Sequence, residues 1–140
     1  MTVYLDASVL VATLIVEAKG DAAVDYVQGL DEPPIVTGFA AGEVASAISR
    51  AVRTGRVAVD LAVQRLEAFD AFRAVSCQTI SLGKIDIDAA AKLVRHFDLK
   101  LRMPDALHLT VSKRHGLVLA TFDLQLARAA HALGVEVAIP

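Results

Sequence analysis

The 140-residue sequence has a single cysteine, Cys77, four prolines and no tryptophan. One cysteine excludes an internal disulfide and a cysteine-rich zinc site, so we expect Cys77 to be a small apolar core residue. Aromatic residues make up only 5% of the chain, which gives little support for recognition of bases by stacking. There is no repeat and no linker rich in proline, glycine or serine, so we expect one domain over residues 1–140.

Long hydrophobic runs are also missing, although 55% of the residues are hydrophobic and the mean hydropathy is +0.52. The longest uncharged run near the start lies between Asp6 and Glu17, which is about half of the ~20 residues that a membrane span needs. No positively charged leader precedes this run. We therefore expect buried structure, no membrane association and a cytoplasmic protein.

Neither sign of charge dominates the whole chain, since the formal net charge is −2 and the pI is about 6.0. The charges are unevenly distributed, because residues 1–50 carry seven acids against Lys19 and Arg50, whereas residues 51–140 carry nine acids and twelve bases. This distribution is compatible with a local basic groove for nucleic acid. It is equally compatible with an ordinary solvated surface.

Short apolar segments alternate with longer segments of helical periodicity. Strands are predicted at residues 3–5, 35–36, 77–80, 117–120 and 135–139. Helices are predicted at residues 8–17, 21–30, 39–54, 57–75, 86–97, 104–115 and 124–133, with Asp86 as the cap of the fifth. This alternation predicts an α/β fold, a three-layer α/β/α sandwich with a central parallel sheet.

Four acidic residues are expected near one edge of this sheet. Asp6 directly follows the first strand and Asp123 follows the fourth, so both should lie at the carboxyl ends of parallel strands, where α/β proteins bind ligands. Asp105 lies in the first turn of the sixth helix. Glu43 lies one turn into the helix after the second strand, on the flank of its apolar stripe.

Each acid also has a simple structural explanation, since Asp6 and Asp123 could cap helices and Asp105 could complement a positive helix terminus. Capping does not explain Glu43 or the convergence of four acids. Clustered carboxylates repel one another unless a cation neutralises them. Their oxygens suit Mg²⁺ or Mn²⁺ and not zinc, and such metals activate water and stabilise a transferring phosphoryl group. We therefore predict these four acids as metal-binding and catalytic residues.

Several neighbours of these acids have two interpretations. Ser8 and Thr121, each two residues from an acid, could orient carboxylates or waters, or could simply form turns. His108 follows Asp105 by one turn, which would suit a general base, but this spacing is common by chance on an amphipathic helix and we expect a packing or surface residue. Basic residues around Asp105 could hold nucleic-acid phosphates, or could serve only solubility. These bases are Arg95, Lys100, Arg102, Lys113 and Arg114.

Four segments, taken in their order and spacing, carry a resemblance that covers the whole chain. They are Leu5-Asp6-Ala7-Ser8-Val9-Leu10, Glu43 on its helix, Pro104-Asp105-Ala106-Leu107-His108-Leu109, and Thr121-Phe122-Asp123 followed by Leu126-Ala127-Arg128. With these segments the chain resembles the PIN-domain family, and in particular the VapC-type toxins of bacterial toxin–antitoxin pairs.

The resemblance implies a metal-dependent endoribonuclease. Asp6, Glu43 and Asp105 would hold a catalytic Mg²⁺ or Mn²⁺, and Asp123 would contribute directly or through water. The implied substrate is single-stranded or structured RNA such as tRNA or rRNA, the implied assembly is a homodimer, and a cognate antitoxin would block the site. Some members carry another acid shortly after the fourth, where this chain has Gln125.

Other classes also place an aspartate at the end of a buried strand. A phosphoacceptor receiver needs a neighbouring acid pair and a late lysine, and the chain has neither near Asp6 or residues 135–140. A haloacid-dehalogenase-like phosphatase needs an acid where Ser8 stands. A PIN nuclease that is not a toxin and a non-enzymatic binding domain are further alternatives. The last would be favoured if the purified protein bound neither Mn²⁺ nor RNA.

Overall fold

A computed structural model describes residues 1–140, and short parallel strands form its centre. The three strands are β1 (Val3–Leu5), β2 (Val118–Ala120) and β3 (Val137–Ala138), in that spatial order. Single bridging residues extend the sheet beyond β1, because Tyr4 pairs with Ile35 and Ile35 pairs with Gln78, both in parallel orientation. The order across the sheet is therefore Gln78, Ile35, β1, β2, β3.

Seven α-helices and one 3₁₀ helix surround the sheet. They are α1 (Ala7–Leu14), α2 (Gly20–Gln28), α3 (Gly38–Arg53), α4 (Val59–Ser76), α5 (Lys84–Leu93), the 3₁₀ helix (Phe97–Leu99), α6 (Met103–His115) and α7 (Leu124–Ala132). Parallel strands cannot be joined by hairpins, and these helices supply the crossovers. None of the helices is both long enough and apolar enough to span a bilayer.

The strands β1 and β2 are buried on both faces, as is typical of a parallel sheet covered by helices, and the edge strand β3 is half-buried. Because side chains alternate along a strand, Leu5 and Ala120 join a core cluster with α1, α3 and α4. Tyr4 and Leu119 join a second cluster with α6 and α7. The predicted α/β/α architecture with a central parallel sheet is confirmed.

The structure corrects several predicted boundaries. The first helix ends at Leu14 and does not continue to residue 17, since its C-cap Ile15 is extended. The segments at 35–36 and 77–80 are not full strands, because only Ile35 and Gln78 form isolated bridges. The last strand is reduced to two residues.

Cys77 was expected in the core but is only half-buried. It follows α4 and packs at the margin of the first core cluster. Burial raises the pKa of its thiol to about 11, although nearby Arg73 lowers it, so the thiol is protonated at neutral pH.

The prediction that Asp86 is the cap of α5 is wrong. Gly83 is the N-cap, and Asp86, fully buried one turn later, accepts the Gly83 N–H at 2.9 Å. Its carboxylate also accepts two hydrogen bonds from Arg114 on α6, at 2.7 and 2.8 Å. Burial opposes ionisation of Asp86, but the hydrogen bonds from Arg114 and Gly83 outweigh it and lower the pKa of this carboxyl group. The ion pair between Asp86 and Arg114 therefore stabilises the packing of α5 against α6.

Candidate active site

Asp6 lies at the carboxyl edge of the sheet, one residue after β1. Its backbone N–H donates to the Ala120 carbonyl at 3.2 Å, which continues the pairing of β1 with β2. Its carboxylate caps α1, because Oδ1 accepts the backbone N–H groups of Ser8 at 2.9 Å and Val9 at 3.2 Å. The sequence-based suggestion of a capping role is confirmed, and the residue is 4% exposed.

Two neighbouring hydroxyl groups, 3.4 Å apart, bond to the two oxygens of the Asp6 carboxylate. Ser8 Oγ donates to Oδ1 and Thr121 Oγ1 donates to Oδ2, each at 2.6 Å. Both hydroxyls in turn accept backbone N–H groups, Ser8 that of Phe122 and Thr121 that of Asp123. Of the two interpretations left open by the sequence, the contact with a carboxylate is observed for both hydroxyls. Thr121 also forms the turn-type contact, because it accepts the N–H of the residue two positions later.

Burial raises the pKa of Asp6, and hydrogen bonds from Ser8 and Thr121 oppose this rise only in part. Because the folded pKa lies above the unfolded one, the stabilising contribution of Asp6 is fully present below the unfolded pKa. It is lost as the pH rises through the folded pKa. A cation next to Asp6 would favour the ionised carboxylate and offset this cost.

Asp123 caps α7 and is connected to Asp6 through Thr121. Its Oδ1 accepts the backbone N–H groups of Gln125 at 2.9 Å and Leu126 at 3.0 Å. Since Thr121 bonds both to the Asp6 carboxylate and to the Asp123 backbone, these two predicted acids come to the same edge of the sheet.

Glu43 contacts a histidine that the sequence did not connect with it. Its Oε1 lies 2.6 Å from Nε2 of His108 on α6, and the two side chains are 30% and 4% exposed. As predicted, Glu43 lies beside the buried stripe of α3. His108 was expected to be a packing or surface residue, and it is indeed buried. The polar contact was missed because 65 residues separate the partners.

The second ring nitrogen of His108 continues this network. Nδ1 lies 2.6 Å from the Tyr4 hydroxyl, which lies 3.1 Å from Oγ1 of Thr37, the N-cap of α3. Burial raises the pKa of Tyr4, and the charge of nearby Glu43 adds to the rise, so the Tyr4 hydroxyl keeps its proton. Hydrogen bonds thus connect β1 and α6 to Thr37, the N-cap of α3, and to Glu43 on α3.

Asp105 lies in the first turn of α6, as predicted. Its Oδ2 accepts the backbone N–H of Arg102 at 3.0 Å and lies 3.4 Å from Arg102 Nε. The acid therefore has a local capping role, which the sequence-based alternative also allowed. It stands one helical turn before His108 and so close to the network that holds Glu43.

The four predicted acids do not form a closed metal site in this arrangement. No three His, Cys, Asp or Glu side chains are positioned so that they could hold a metal ion. The donor atoms do fit a hard cation, because they are carboxylate oxygens. Three of these oxygens accept no hydrogen bond from the protein, namely Oε2 of Glu43, Oδ1 of Asp105 and Oδ2 of Asp123. Carboxylate oxygens are preferred ligands of Mg²⁺. Binding would require the acids to lie closer together than they do here.

A cleft of about 830 Å³ lies beside Glu43 and Ser8. Its charged lining residues are four bases and two acids, namely Lys19, Arg50, Arg53, Arg102, Glu17 and Glu43. Lys19 Nζ also lies 4.8 Å from the centre of the Phe122 ring at the cleft wall. The excess of bases makes this cleft suited to an anionic ligand.

The basic residues singled out in the sequence do not all line this cleft. Of the five bases proposed for phosphate contacts, only Arg102 lines the cleft. Lys113 and Arg114 line a separate groove, since Lys113 lies about 16 Å further along α6 than Arg102. Arg50 and Arg53, in the last turn of α3, were missed because they are distant in sequence from the other bases.

Comparison with known proteins extends these observations. The PIN domain family model matches residues 3–132. No curated protein matches the chain. Among solved structures, the chain is similar to VapC20 of Mycobacterium tuberculosis, a toxin that cleaves the sarcin–ricin loop. The TM-score is 0.75 at 19% identity, over 91% of this chain and 95% of that one.

Two structures of VapBC and FitAB type are also similar. VapBC2 of Rickettsia felis, bound to a DNA fragment from its promoter, gives a TM-score of 0.72 at 12% identity, over 99% of this chain and 98% of that one. FitAcB of Neisseria gonorrhoeae gives 0.67 at 14% identity, with the same coverage. At such low identity these similarities show a shared fold, whereas the family match spans nearly the whole chain and includes all four predicted acids. The chain belongs to the PIN domain family.

Proposed function

We propose that this chain is a Mg²⁺- or Mn²⁺-dependent endoribonuclease and the toxin of a toxin–antitoxin pair. The observation that carries the proposal is the family match over residues 3–132, because Asp6, Glu43, Asp105 and Asp123 all fall within it. The first three acids would hold the metal, and Asp123 would contribute directly or through water. Such a metal supplies activation of water and neutralisation of phosphate charge.

The residues around the acids have separable tasks in this proposal. Ser8 and Thr121 fix the Asp6 carboxylate at the edge of the sheet through their hydroxyl groups. The bases of the cleft would hold backbone phosphates beside Glu43, which positions RNA without reading its sequence. Among the bases of the cleft, Arg102 directly contacts one of the acids, because its backbone N–H donates to the Asp105 carboxylate.

Two protein partners belong to the same proposal. A cognate antitoxin would block the site, and a second copy of the chain would complete a homodimer. The antitoxin is supported by the similarity to VapBC2. The homodimer rests on the family resemblance alone.

The proposal is tested with purified protein and an RNA that carries single-stranded loops, in Mg²⁺, in Mn²⁺ and in excess EDTA. We expect cleavage only with metal, and products that end in 5′-phosphate and 3′-hydroxyl, because water and not the ribose 2′-hydroxyl attacks phosphorus. Undiminished cleavage in EDTA, or products that end in 2′,3′-cyclic phosphate, would exclude this mechanism.

The position of the cleft predicts which bases contact RNA. Arg50→Gln should weaken RNA binding and reduce the slope of log affinity against log salt by about 0.7, the value for one phosphate contact on a single strand. Lys113→Gln is the matched control, because Lys113 also lies in the last turn of a helix but outside the cleft. The slope of log affinity against log salt for Lys113→Gln should equal that of the parent. An equal change in both variants would place the RNA elsewhere.

A further inference from the structure

We infer that His108 is a positioning residue that orients the Glu43 carboxylate toward the metal, as the last donor of a buried hydrogen-bonded chain that begins at Thr37. The inference rests on the proposed function, because it assigns Glu43 to a cation. Four groups form the chain, which runs from Thr37 through Tyr4 and His108 to Glu43.

The direction of each hydrogen bond follows from the group at the end of the chain. An ionised Glu43 carboxylate can only accept, so Nε2 of His108 must carry hydrogen. In the neutral ring Nδ1 is then an acceptor, and it takes the Tyr4 hydroxyl hydrogen. The Tyr4 oxygen accepts from Thr37, whose own Oγ1 accepts the Ala40 N–H at 3.1 Å. Every donor in this chain has a partner.

The opposite direction leaves a buried group unsatisfied. If Nδ1 carried hydrogen, it would donate to the Tyr4 oxygen, and the Tyr4 hydroxyl would turn toward Thr37. The hydroxyl hydrogen of Thr37, a residue with 0% exposure, would then have no acceptor. A buried donor without a partner costs free energy. The chain therefore selects the tautomer with hydrogen on Nε2, facing Glu43.

Packing makes the histidine ring the fixed partner of this contact. The ring centres of Tyr4 and Phe39 lie 5.6 and 5.4 Å from that of His108. Glu43 has one more rotatable bond than His108 and its side chain is 30% exposed, so its carboxylate is the part that adapts. The contact occupies Oε1 and leaves Oε2 without a protein hydrogen bond. A donor behind a carboxylate ligand commonly fixes its orientation toward a metal.

Two polar substitutions separate the roles of the two ring nitrogens. His108→Gln places an amide N–H the same number of bonds from Cα as Nε2, so it keeps the donor to Glu43. His108→Asn keeps a polar group near the position of Nδ1 and loses the contact with Glu43. We expect Mn²⁺ affinity, measured by calorimetry without RNA, to fall about 10- to 100-fold in His108→Asn. In His108→Gln it should stay within a few-fold of the parent.

The outcomes distinguish positioning from its alternatives. Equal loss of affinity in both variants would indicate a merely structural role, and tighter Mn²⁺ binding in His108→Asn would indicate that His108 restrains Glu43 from the metal. Either result would overturn the inference. Nitrogen NMR of the parent gives an independent check if a variant fails to fold. Hydrogen on Nε2 is expected, and a bare Nε2 would also overturn the inference.

Glu43→Gln separates failure of the inference from failure of the proposed function. If Glu43→Gln leaves Mn²⁺ affinity unchanged, Glu43 does not bind the metal, and both the proposed ligand set and the positioning role are wrong. If Glu43→Gln weakens binding and His108→Asn does not, only the positioning role is wrong.

Discussion

Asp105→Asn should lower metal-dependent RNA cleavage by more than about 100-fold. Loss of a group that hydrogen-bonds to a metal ligand typically costs about 10- to 100-fold, and loss of the ligand itself should cost at least as much. The substitution keeps the shape of the side chain but removes one of the negative charges that would hold the cation. An amide oxygen can still accept the backbone N–H of Arg102, so the start of α6 should be preserved. The measurement is the initial cleavage rate at saturating Mn²⁺.

Asp98→Asn is the matched control for this prediction. Asp98 lies in the exposed 3₁₀ helix shortly before α6, and its substitution makes the same change of charge. The control should cleave at the parent rate. If Asp105 were only a helix-terminal charge, its loss would cost about 0.3–1 kcal/mol of stability and leave cleavage intact. Parent-like cleavage by Asp105→Asn would therefore contradict its role as a ligand.

Asp86→Ala should reduce the free energy of unfolding by about 3 kcal/mol. This is the low end of the range for breaking a buried ion pair, because the Arg114 side chain is 35% exposed and can recover some hydration. The substitution also removes the acceptor of the Gly83 N–H at the start of α5. Denaturant unfolding measures the loss. Asp88→Ala, in the exposed pair with Lys84 on the same helix, should cost less than about 1 kcal/mol.

The Asp86 contribution should depend on pH in a defined direction. Because the folded pKa of Asp86 is lowered, its stabilisation is fully present above the unfolded carboxyl pKa of about 3.9. It is lost as the pH falls through the lower folded pKa. The stability difference between parent and Asp86→Ala should thus be constant near neutral pH and shrink in acid. A difference that grew on acidification would contradict this assignment of the ion pair.

The layout of the sheet edge could be predicted because it depends on local sequence. A buried strand followed directly by Asp6, and another followed by Thr121 and Asp123, place these groups at adjacent strand ends in any parallel sheet. The capping alternatives were also correct, since short polar side chains at helix starts bond to free N–H groups. Local pattern therefore indicated both where the acids lie and what holds them.

Contacts between distant elements could not be predicted in the same way. The pairing of His108 with Glu43 depends on how α3 and α6 pack, which helical spacing alone does not determine. The same limit applies to the cleft. Lys113 is close to Asp105 in sequence but lines a separate groove, whereas Arg50 reaches the cleft from another helix. Tertiary packing decides such contacts.

Stability as a function of Mn²⁺ concentration tests the proposed ligand set most directly. At about 100 times Kd, Mn²⁺ should raise the free energy of unfolding of the parent and of Asp98→Asn by about 2.7 kcal/mol. Asp105→Asn should gain far less, and without metal it should be at least as stable as the parent, because repulsion among the carboxylates falls. An equal gain in all three proteins would show that the cation binds elsewhere and that Asp105 is not a ligand.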